Sequence, residues 1–157
     1  MATVKPYPAA ANSSYKDYDK AVGIYSKSKV IDFAECATLK GSALAQNDVI
    51  EAIPAKAGEV CIGIYYKILV ADAGASTADI GVTGDDPDGF FNAAALNATA
   101  GTTAFSSGAY TLNTTGPVLI GGKSFATADT IDLVIDSATA PTTGRLELVA
   151  LFINFNE

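Results

Sequence analysis

The chain has 157 residues, of which 49% are hydrophobic, so it can form one compact domain with its own core. It contains no histidine, which excludes Ser-His, Cys-His and zinc-His sites. The net charge of −7 disfavours nucleic acid binding, and no apolar run reaches transmembrane length. We therefore expect neither a nucleic acid nor a membrane as a partner.

Residues 1–29 differ from the rest of the chain. They hold five lysines and two aspartates, a net charge of +3, which leaves −10 for the remaining residues. They carry four tyrosines but few large aliphatic side chains, so this stretch cannot bury enough apolar surface to fold by itself. The segment is either an ordinary polar terminus or, as we predict, an extended N-terminal arm that contacts a protein partner. The candidate contact residues are Lys5, Tyr7, Tyr15, Tyr18 and Tyr25.

Residues 30–157 are predicted to form an all-β domain. Short runs of β-branched and aromatic residues alternate with clusters of Gly, Pro, Asn, Asp and Thr, which is typical of an antiparallel β-sandwich or a jelly-roll-like domain. KVIDFAEC alternates moderately and is interpreted as a strand, whereas KGSALAQND and FFNAAALN could each form a short helical turn. The clearest strand is EVCIGIYYKILVA, where period-two alternation places six residues on one face: Val60, Ile62, Ile64, Tyr66, Ile68 and Val70.

Two further strands are predicted later in the sequence. TIDLVID directs its isoleucines and Leu133 toward the core and places Asp132 and Asp136 on a solvated polar face. GRLELVALFINF is apolar on both faces from Val149 onward, which favours a strand in the middle of a sheet or beneath another subunit.

The stretch DIGVTGDDPDGFF, residues 79–91, concentrates four aspartates and three glycines. Asp85, Asp86 and Asp88 supply the oxygen ligands that calcium prefers, although their spacing does not fit an EF-hand loop. A catalytic acid pair would need carboxylates on opposite sides of a cleft rather than on one turn. Proline, aspartate and glycine favour a tight turn, so we predict a turn at DDPDG, with a non-EF calcium site as the alternative.

No set of residues predicts a reaction. Cys36 and Cys61 are interpreted as two unpaired, mostly buried thiols of a protein made in a reducing cytosol, because neither has a basic neighbour that would activate it. We therefore expect no enzymatic activity and no cofactor.

The order of several stretches resembles a known family. NDVIEAIPAKAGEVCIGIYYKILVADAGASTADIGVTGDDPDGFFNAAALNATAGT is followed by NTTGPVLIGGKSFATADTIDLVIDSATAPTTGRLELVALFI. From Asp48 to Ile153 this order resembles the capsid decoration (cement) proteins of tailed bacteriophages. The sequence departs from the family pattern at Lys56–Ala57 and Val82–Thr83, where it lengthens turns, and residues 1–29 fall outside the resemblance.

The resemblance implies a non-enzymatic structural protein of the virion, made in the host cytoplasm. It would bind the outer capsid surface as a homo-oligomer, a trimer by analogy, contact the major capsid protein and stabilise the junctions between capsomers. The second interpretation is a carbohydrate- or receptor-binding module of a head fibre or tail, in which Phe90 and Phe91 stack on a sugar beside the acidic turn.

Overall fold

A computed structural model describes residues 3–4, 23–106 and 122–154. In these ranges the chain forms ten strands and one helix, in the order β1 (Thr3–Val4), β2 (Ile24–Asp32), α1 (Phe33–Lys40), β3 (Val49–Ala55), β4 (Glu59–Val70), β5 (Thr77–Val82), β6 (Asp86–Ala95), β7 (Thr103–Ser106), β8 (Lys123–Ser124), β9 (Asp129–Ile135) and β10 (Arg145–Asn154). None of the helical residues described makes a segment long and apolar enough to cross a membrane.

The strands form two sheets. Sheet I has the order β1-β3-β9-β5-β6, and sheet II has the order β2-β10-β4-β7, with β8 also paired to β4. Every pair is antiparallel except the short parallel pair of β1 with β3. The predicted antiparallel β-sandwich is confirmed, while the jelly-roll winding stays a prediction.

One apolar core lies between the sheets. Sheet I contributes Ile131, Leu133 and Ile135 of β9, as predicted, and each is fully buried. Sheet II contributes alternate residues of its strands, and the buried members are Ile31, Cys61, Ile64, Tyr66, Ile68, Leu146, Leu148, Ala150 and Phe152. Burial of these side chains is the main favourable term that holds the two layers together.

The predicted inward face of β4 is wrong at both ends. At its end Val70 is 40% exposed, because a register shift pairs Arg145 with Val70 but Leu146 with Ile68. The beginning departs from the prediction in a similar way. Cys61 is fully buried and Ile62 is half-buried, whereas Ile64, Tyr66 and Ile68 point inward as expected. The cause is a β-bulge, because β10 pairs Phe152 with Cys61 but Leu151 with Gly63. The extra residue shifts the alternation by one position, so every side chain before the bulge changes sides.

The helix lies where a strand was predicted, and both predicted helical turns are wrong. β2 ends at Asp32, whose carboxylate accepts hydrogen bonds from the amides of Ala34 (3.0 Å) and Glu35 (3.2 Å). This N-cap begins α1, and Gly41, at φ 76°, ends it in the left-handed conformation. FFNAAALN instead supplies most of β6, and KGSALAQND forms an irregular connection after α1.

The β5–β6 hairpin contains a turn, but the turn has three residues and begins two residues earlier than predicted. Val82 pairs with Asp86, so the chain reverses over Thr83, Gly84 and Asp85, with Gly84 at φ 92°. DPDG already belongs to β6. Pro87 is compatible with this position because β6 is the edge strand of sheet I and needs to donate on one side only.

β2 begins at Ile24, so the last six residues of the predicted arm pair with β10. Among residues 5–22 the structure describes none, and the division into an arm at 1–29 and a domain at 30–157 stays a prediction.

Candidate interaction surface

The outer face of sheet II is largely apolar. In β10 the residues Leu148, Ala150 and Phe152 are buried, so the alternating Val149, Leu151 and Ile153 point away from the core. Their lateral partners on the neighbouring strands continue the same surface. We call this surface the apolar face, and its members are Ile24, Val30, Val60, Tyr65, Phe105, Val149, Leu151 and Ile153.

Large side chains at both edges of the apolar face are exposed to solvent. Ile24 on β2 is 64% exposed and Phe105 on β7 is 59% exposed. The Phe105 ring lies over the backbone of Gly63, because a Cβ placed on that glycine would meet its ring atoms at 2.6 and 2.7 Å. The bulge in β4 thus presents a glycine to this ring, and the ring extends the apolar surface across the sheet.

Charge on the apolar face is sparse and balanced. Lys67 of β4 lies directly opposite Glu147 of β10 in the strand register, and both are half-buried or exposed on the outer side. The outward positions of β2 between its two apolar residues are Ser26 and Ser28. This surface therefore carries no excess of either sign among its described residues.

The outer face of sheet I is acidic, in contrast. Glu51 of β3 pairs with Asp132 of β9, Asp79 lies on β5, and Asp136 follows β9. Burial raises the pKa of the Asp79 carboxyl, and the charges of Asp136 and Asp88 raise it further. The hydrogen bond that the Ala93 amide donates to Asp79 at 2.8 Å lowers the same pKa. The net direction is upward, chiefly because of burial. We call the carboxylates on this surface the acidic face: Glu51, Asp79, Asp132 and Asp136.

Asp132 is not the solvated residue that the alternation predicted. It is 3% exposed and accepts hydrogen bonds from the Thr83 amide (3.0 Å) and the Thr130 hydroxyl (2.6 Å). The β5–β6 turn covers it, since Gly81 pairs directly with it and Thr83 binds it. Burial raises the pKa of Asp132 more than the hydrogen bonds lower it. Asp136 is exposed, as predicted.

The three calcium candidates lie on the β5–β6 hairpin but have partners of their own. Asp85 forms an ion pair with Lys123 of β8, and Asp88 accepts a hydrogen bond from the Asn92 amide at 2.6 Å. A hydrogen bond to Asp88 raises the pKa of Asp86, whereas the bond from Asn92 lowers the pKa of Asp88. Nowhere in the described ranges do three His, Cys, Asp or Glu side chains group so that they could hold a metal ion. The calcium site stays a prediction.

The rings expected to stack on a sugar are used in packing. Phe90 is 5% exposed and belongs to the core, and Phe91 packs edge-on against Tyr66 with ring centroids 4.9 Å apart. The acidic turn therefore has no exposed Phe90 ring beside it.

Of the candidate contact residues in the predicted arm, the structure describes Tyr25 alone. It lies half-buried in β2, its hydroxyl donates to Glu59 Oε1 at 2.6 Å, and its ring stacks on Phe152 at 5.9 Å between centroids. Lys5, Tyr7, Tyr15 and Tyr18 lie outside the described residues.

Three groups of buried charges in the described residues escaped the sequence analysis, one of them the ion pair of Asp48, which is 2% exposed, with Lys40. Glu59, with a side chain 2% exposed, accepts two hydrogen bonds from Lys27 (2.7 and 3.0 Å), and Lys27 also donates to the Pro54 carbonyl at 2.9 Å. This cluster ties β2 to the end of β3 and the start of β4. In the sequence, the only sign of this cluster was Lys27, a charged residue at an inward position of β2.

Asp72 forms another group. It is 5% exposed and accepts hydrogen bonds from three amides and two hydroxyls of two loops. The donors are Gly74 N (3.0 Å), Ser76 Oγ (2.8 Å), Thr142 N (3.1 Å), Thr143 N (3.0 Å) and Thr143 Oγ1 (3.3 Å). Its lone pairs are committed to holding the loops together, so it is a structural acid.

The two thiols are buried and inert. Burial raises the pKa of Cys61 to about 12 and that of Cys36 to about 11, so neither is a thiolate at neutral pH. Their predicted state as unpaired buried cysteines is confirmed.

The sequence matches no protein-family model and no curated protein. Its fold, however, is similar to chains of three phage structures. The match to the capsid of Ralstonia phage GP4 has a TM-score of 0.57 at 13% identity and covers 99% of this chain and 100% of that chain. The match to the cyanophage Pam1 capsid asymmetric unit has a TM-score of 0.56 at 11% identity and covers 94% and 99%, respectively.

The third structure is the acidic stable capsid of Helicobacter pylori bacteriophage KHP30. The TM-score is 0.53 at 10% identity, and the match covers 83% of this chain and 86% of that chain. At these identities the likeness establishes a shared fold: this β-sandwich is one that occurs in phage capsids.

Proposed function

We propose that the protein is a structural component of a phage virion: a decoration (cement) protein that binds the outer capsid surface and stabilises contacts between capsomers. The observation that carries this proposal is the whole-length likeness of its fold to chains of phage capsids. Because the match covers 100% and 99% of two of those chains, they are chains of about the same length. A single sandwich of this size suits an added component of a shell.

The state of the reactive groups supports a binding role over catalysis. Asp72 and Asp132 have their oxygens occupied by hydrogen bonds from neighbouring loops, and both thiols have pKa values of about 11 or higher. A general base or nucleophile needs a pKa matched to its task and access to a substrate, which none of these groups has.

The acidic face supports a position on the outside of the capsid. Glu51, Asp79 and Asp136 are the carboxylates of the acidic face that reach solvent, and they repel nucleic acid phosphates, so this face suits solvent better than a packaged genome. In this proposal the major capsid protein is the partner, the protein acts as a homo-oligomer, by analogy a trimer, and the segment before β2 supplies additional contacts.

Binding to heads tests the proposal. Heads assembled from the major capsid protein of the same phage would be mixed with the purified protein, sedimented and imaged by electron cryomicroscopy. We expect saturable binding at fixed positions on the outer surface and a higher temperature of head disruption. Failure to bind these heads at micromolar concentration would refute the proposal.

A substitution variant tests the segment before β2. Changing Lys5, Tyr7, Tyr15 and Tyr18 to serine leaves β2 and the Tyr25–Glu59 hydrogen bond intact. We expect lower occupancy on heads at the same free concentration, and unchanged occupancy would remove this segment from the contact. A glycan array with and without a chelator tests the receptor-binding alternative, which calcium-dependent glycan binding would favour.

A further inference from the structure

We infer that the apolar face of sheet II is the surface through which the protein contacts the capsid shell. This inference rests on the proposed function and adds to it the side of the sandwich that binds. Five large hydrophobic side chains of the described residues are exposed, and three of them lie on this face: Ile24 at 64%, Phe105 at 59% and Val30 at 47%. Exposed apolar side chains gathered on one surface mark an interaction site rather than a solvated face.

The apolar residues form continuous rows across the sheet. Ile153 of β10 lies between Ile24 of β2 and Val60 of β4 in the strand register. A second row joins Tyr65 of β4 to Phe105 of β7. Because β10 is already hydrogen-bonded on both sides, by β2 and by β4, outward apolar residues on it are expected where another protein layer covers the sheet.

Charge decides which of the two broad faces of the sandwich is covered at lower cost. On the acidic face Glu51, Asp79 and Asp136 reach solvent, and a contact there would remove carboxylates of like charge from water. On the apolar face Lys67 lies opposite Glu147, so a contact removes no excess charge from water. The shell surface that fits the apolar face is accordingly an apolar patch without net charge, and the acidic face remains in solvent.

The course of the chain supports the same side of the sandwich. β2 begins at Ile24, on the apolar face, and the segment before β2 is the one proposed to supply additional contacts with the shell. A contact through the acidic face would place Ile24 across the thickness of the sandwich, ~10 Å farther from the shell. The apolar face and the segment before β2 can thus contact the shell as one surface.

The area of the face matches a specific but modest contact. The strands β2, β10 and β4 at ~4.8 Å spacing, over about ten residues at ~3.3 Å each, give a surface of roughly 500 Å² per chain. With the matching shell surface, about 1,000 Å² is buried, which is the minimum for a specific interface. Because few side chains provide most of the affinity of such a contact, one charged substitution on the face should weaken it measurably.

Binding of variants to heads tests the inference, with heads assembled from the major capsid protein of the same phage. Phe105→Asp places a charge in the contact and should raise the dissociation constant for heads at least about tenfold. Ile24→Asp at the opposite edge of the face should do the same, and it keeps the test valid if the first variant misfolds. In electron cryomicroscopy of heads decorated with wild-type protein, sheet II of each bound chain should face the shell and sheet I should face solvent.

Two substitutions away from the apolar face are the matched controls. Leu39 is 48% exposed on α1, so Leu39→Asp removes a comparable exposed hydrophobe and adds the same charge. Asp136→Asn removes an exposed charge beside β9, on the acidic face. Both controls should bind heads like wild type. Circular dichroism should show folded protein for all variants, and all should sediment like wild type.

The possible results separate this inference from the proposed function. A folded Phe105→Asp or Ile24→Asp variant that binds heads as tightly as wild type would overturn the inference alone, as would an image with sheet I against the shell. A variant of the face that sediments as a smaller species than wild type would overturn it too, because a second copy would then occupy the face. Wild-type protein that does not bind heads would refute the proposed function, and the inference would fall with it.

Discussion

Replacing Asp72 by alanine should destabilise the protein more than most surface-loop changes would. The carboxylate accepts five hydrogen bonds, from amides of Gly74, Thr142 and Thr143 and from the hydroxyls of Ser76 and Thr143. Each bond to a charged acceptor contributes ~1.5–3 kcal/mol, but bonds to one group are not additive. Single changes rarely exceed ~4–5 kcal/mol, so we expect Asp72→Ala to lower the free energy of unfolding by about 4 kcal/mol.

Asp72→Asn separates charge from shape. The remaining side-chain oxygen can still accept from the amides of Thr142 and Thr143, and the Ser76 hydroxyl can turn to accept from the new amide. The Gly74 amide then faces another donor and loses its partner. One unsatisfied amide and the lost charge assistance should cost about 2 kcal/mol.

The difference between wild type and Asp72→Asn should depend on pH. Burial raises the pKa of Asp72, but the hydrogen bonds from Thr143, Ser76, Gly74 and Thr142 lower it more, so the folded pKa lies below the usual 3.8. The unfolded state therefore binds more protons between the two pKa values, and stability rises with pH in that window. The carboxylate's contribution is complete above about pH 5 and is lost as the pH falls through the folded pKa.

Urea denaturation followed by circular dichroism measures these differences at pH 7 and at pH values below 4. Asp136→Asn is the control, because Asp136 is exposed and its side chain makes only a 3.4 Å contact with Thr77; it should change stability by less than ~0.5 kcal/mol. A loss below ~1 kcal/mol for Asp72→Ala would refute the role of the hydrogen bonds. A gap between wild type and Asp72→Asn that stays constant down to pH 2 would refute the pKa reasoning.

Three further changes test the packing of the sandwich. Gly81→Ala should cost about 3 kcal/mol in a urea titration, because its Cβ would lie 2.2 Å from the Asp86 carbonyl oxygen and 2.5 Å from Pro87 backbone atoms. Lys27→Met should cost ~3–5 kcal/mol, since it leaves the Glu59 carboxylate buried without its cation, and adding Glu59→Gln should recover part of this loss in a double-mutant cycle. Both cysteines should resist a thiol reagent at pH 8 and react after unfolding, because burial raises their pKa values to about 11 and about 12.

Each of these changes has its own control. Gly23→Ala should be neutral, because a Cβ there meets no atom within 4 Å, and equal costs for both glycines would contradict the steric reasoning. Additive effects of the Lys27 and Glu59 changes would mean that the pair is not coupled. Rapid labelling of folded protein at either thiol would show that the buried state opens readily.

The sequence predicts the strands well where alternation is uninterrupted. β9 alternates without a break, and its core residues are predicted correctly. β4 is predicted as a strand, but its first residues are assigned to the wrong face, because the bulge depends on how Leu151 and Phe152 of β10 pair with it. A pattern within one strand carries no information about a register set by another.

The remaining errors have equally local causes. The α1 helix could have been found from its caps, Asp32 and Gly41, but KVIDFAEC alternates moderately and therefore also satisfies a β pattern. The hairpin turn was displaced because DPDG contains strong turn residues, while the pairing of Val82 with Asp86 selects Gly84. Asp132 was assigned to solvent because alternation cannot reveal that a neighbouring turn covers it.

The sequence predicted only part of the apolar face, namely the apolar residues of β10. The apolar residues on both sides of β10 indicated either a central strand or a covered one. The exposure of Ile24 and Phe105 could not be predicted, because it depends on β2 and β7 being the edges of the same sheet.

The strand order also has a consequence for synthesis. The centres of the two sheets, β9 and β10, come from residues 129–154, whereas the strands they join are made earlier in translation. A nascent chain that stops before residue 129 therefore contains β3 without its link to β5, and β2 without its link to β4. Because β9 and β10 make these links, neither sheet can be completed until residues 129–154 have left the ribosome.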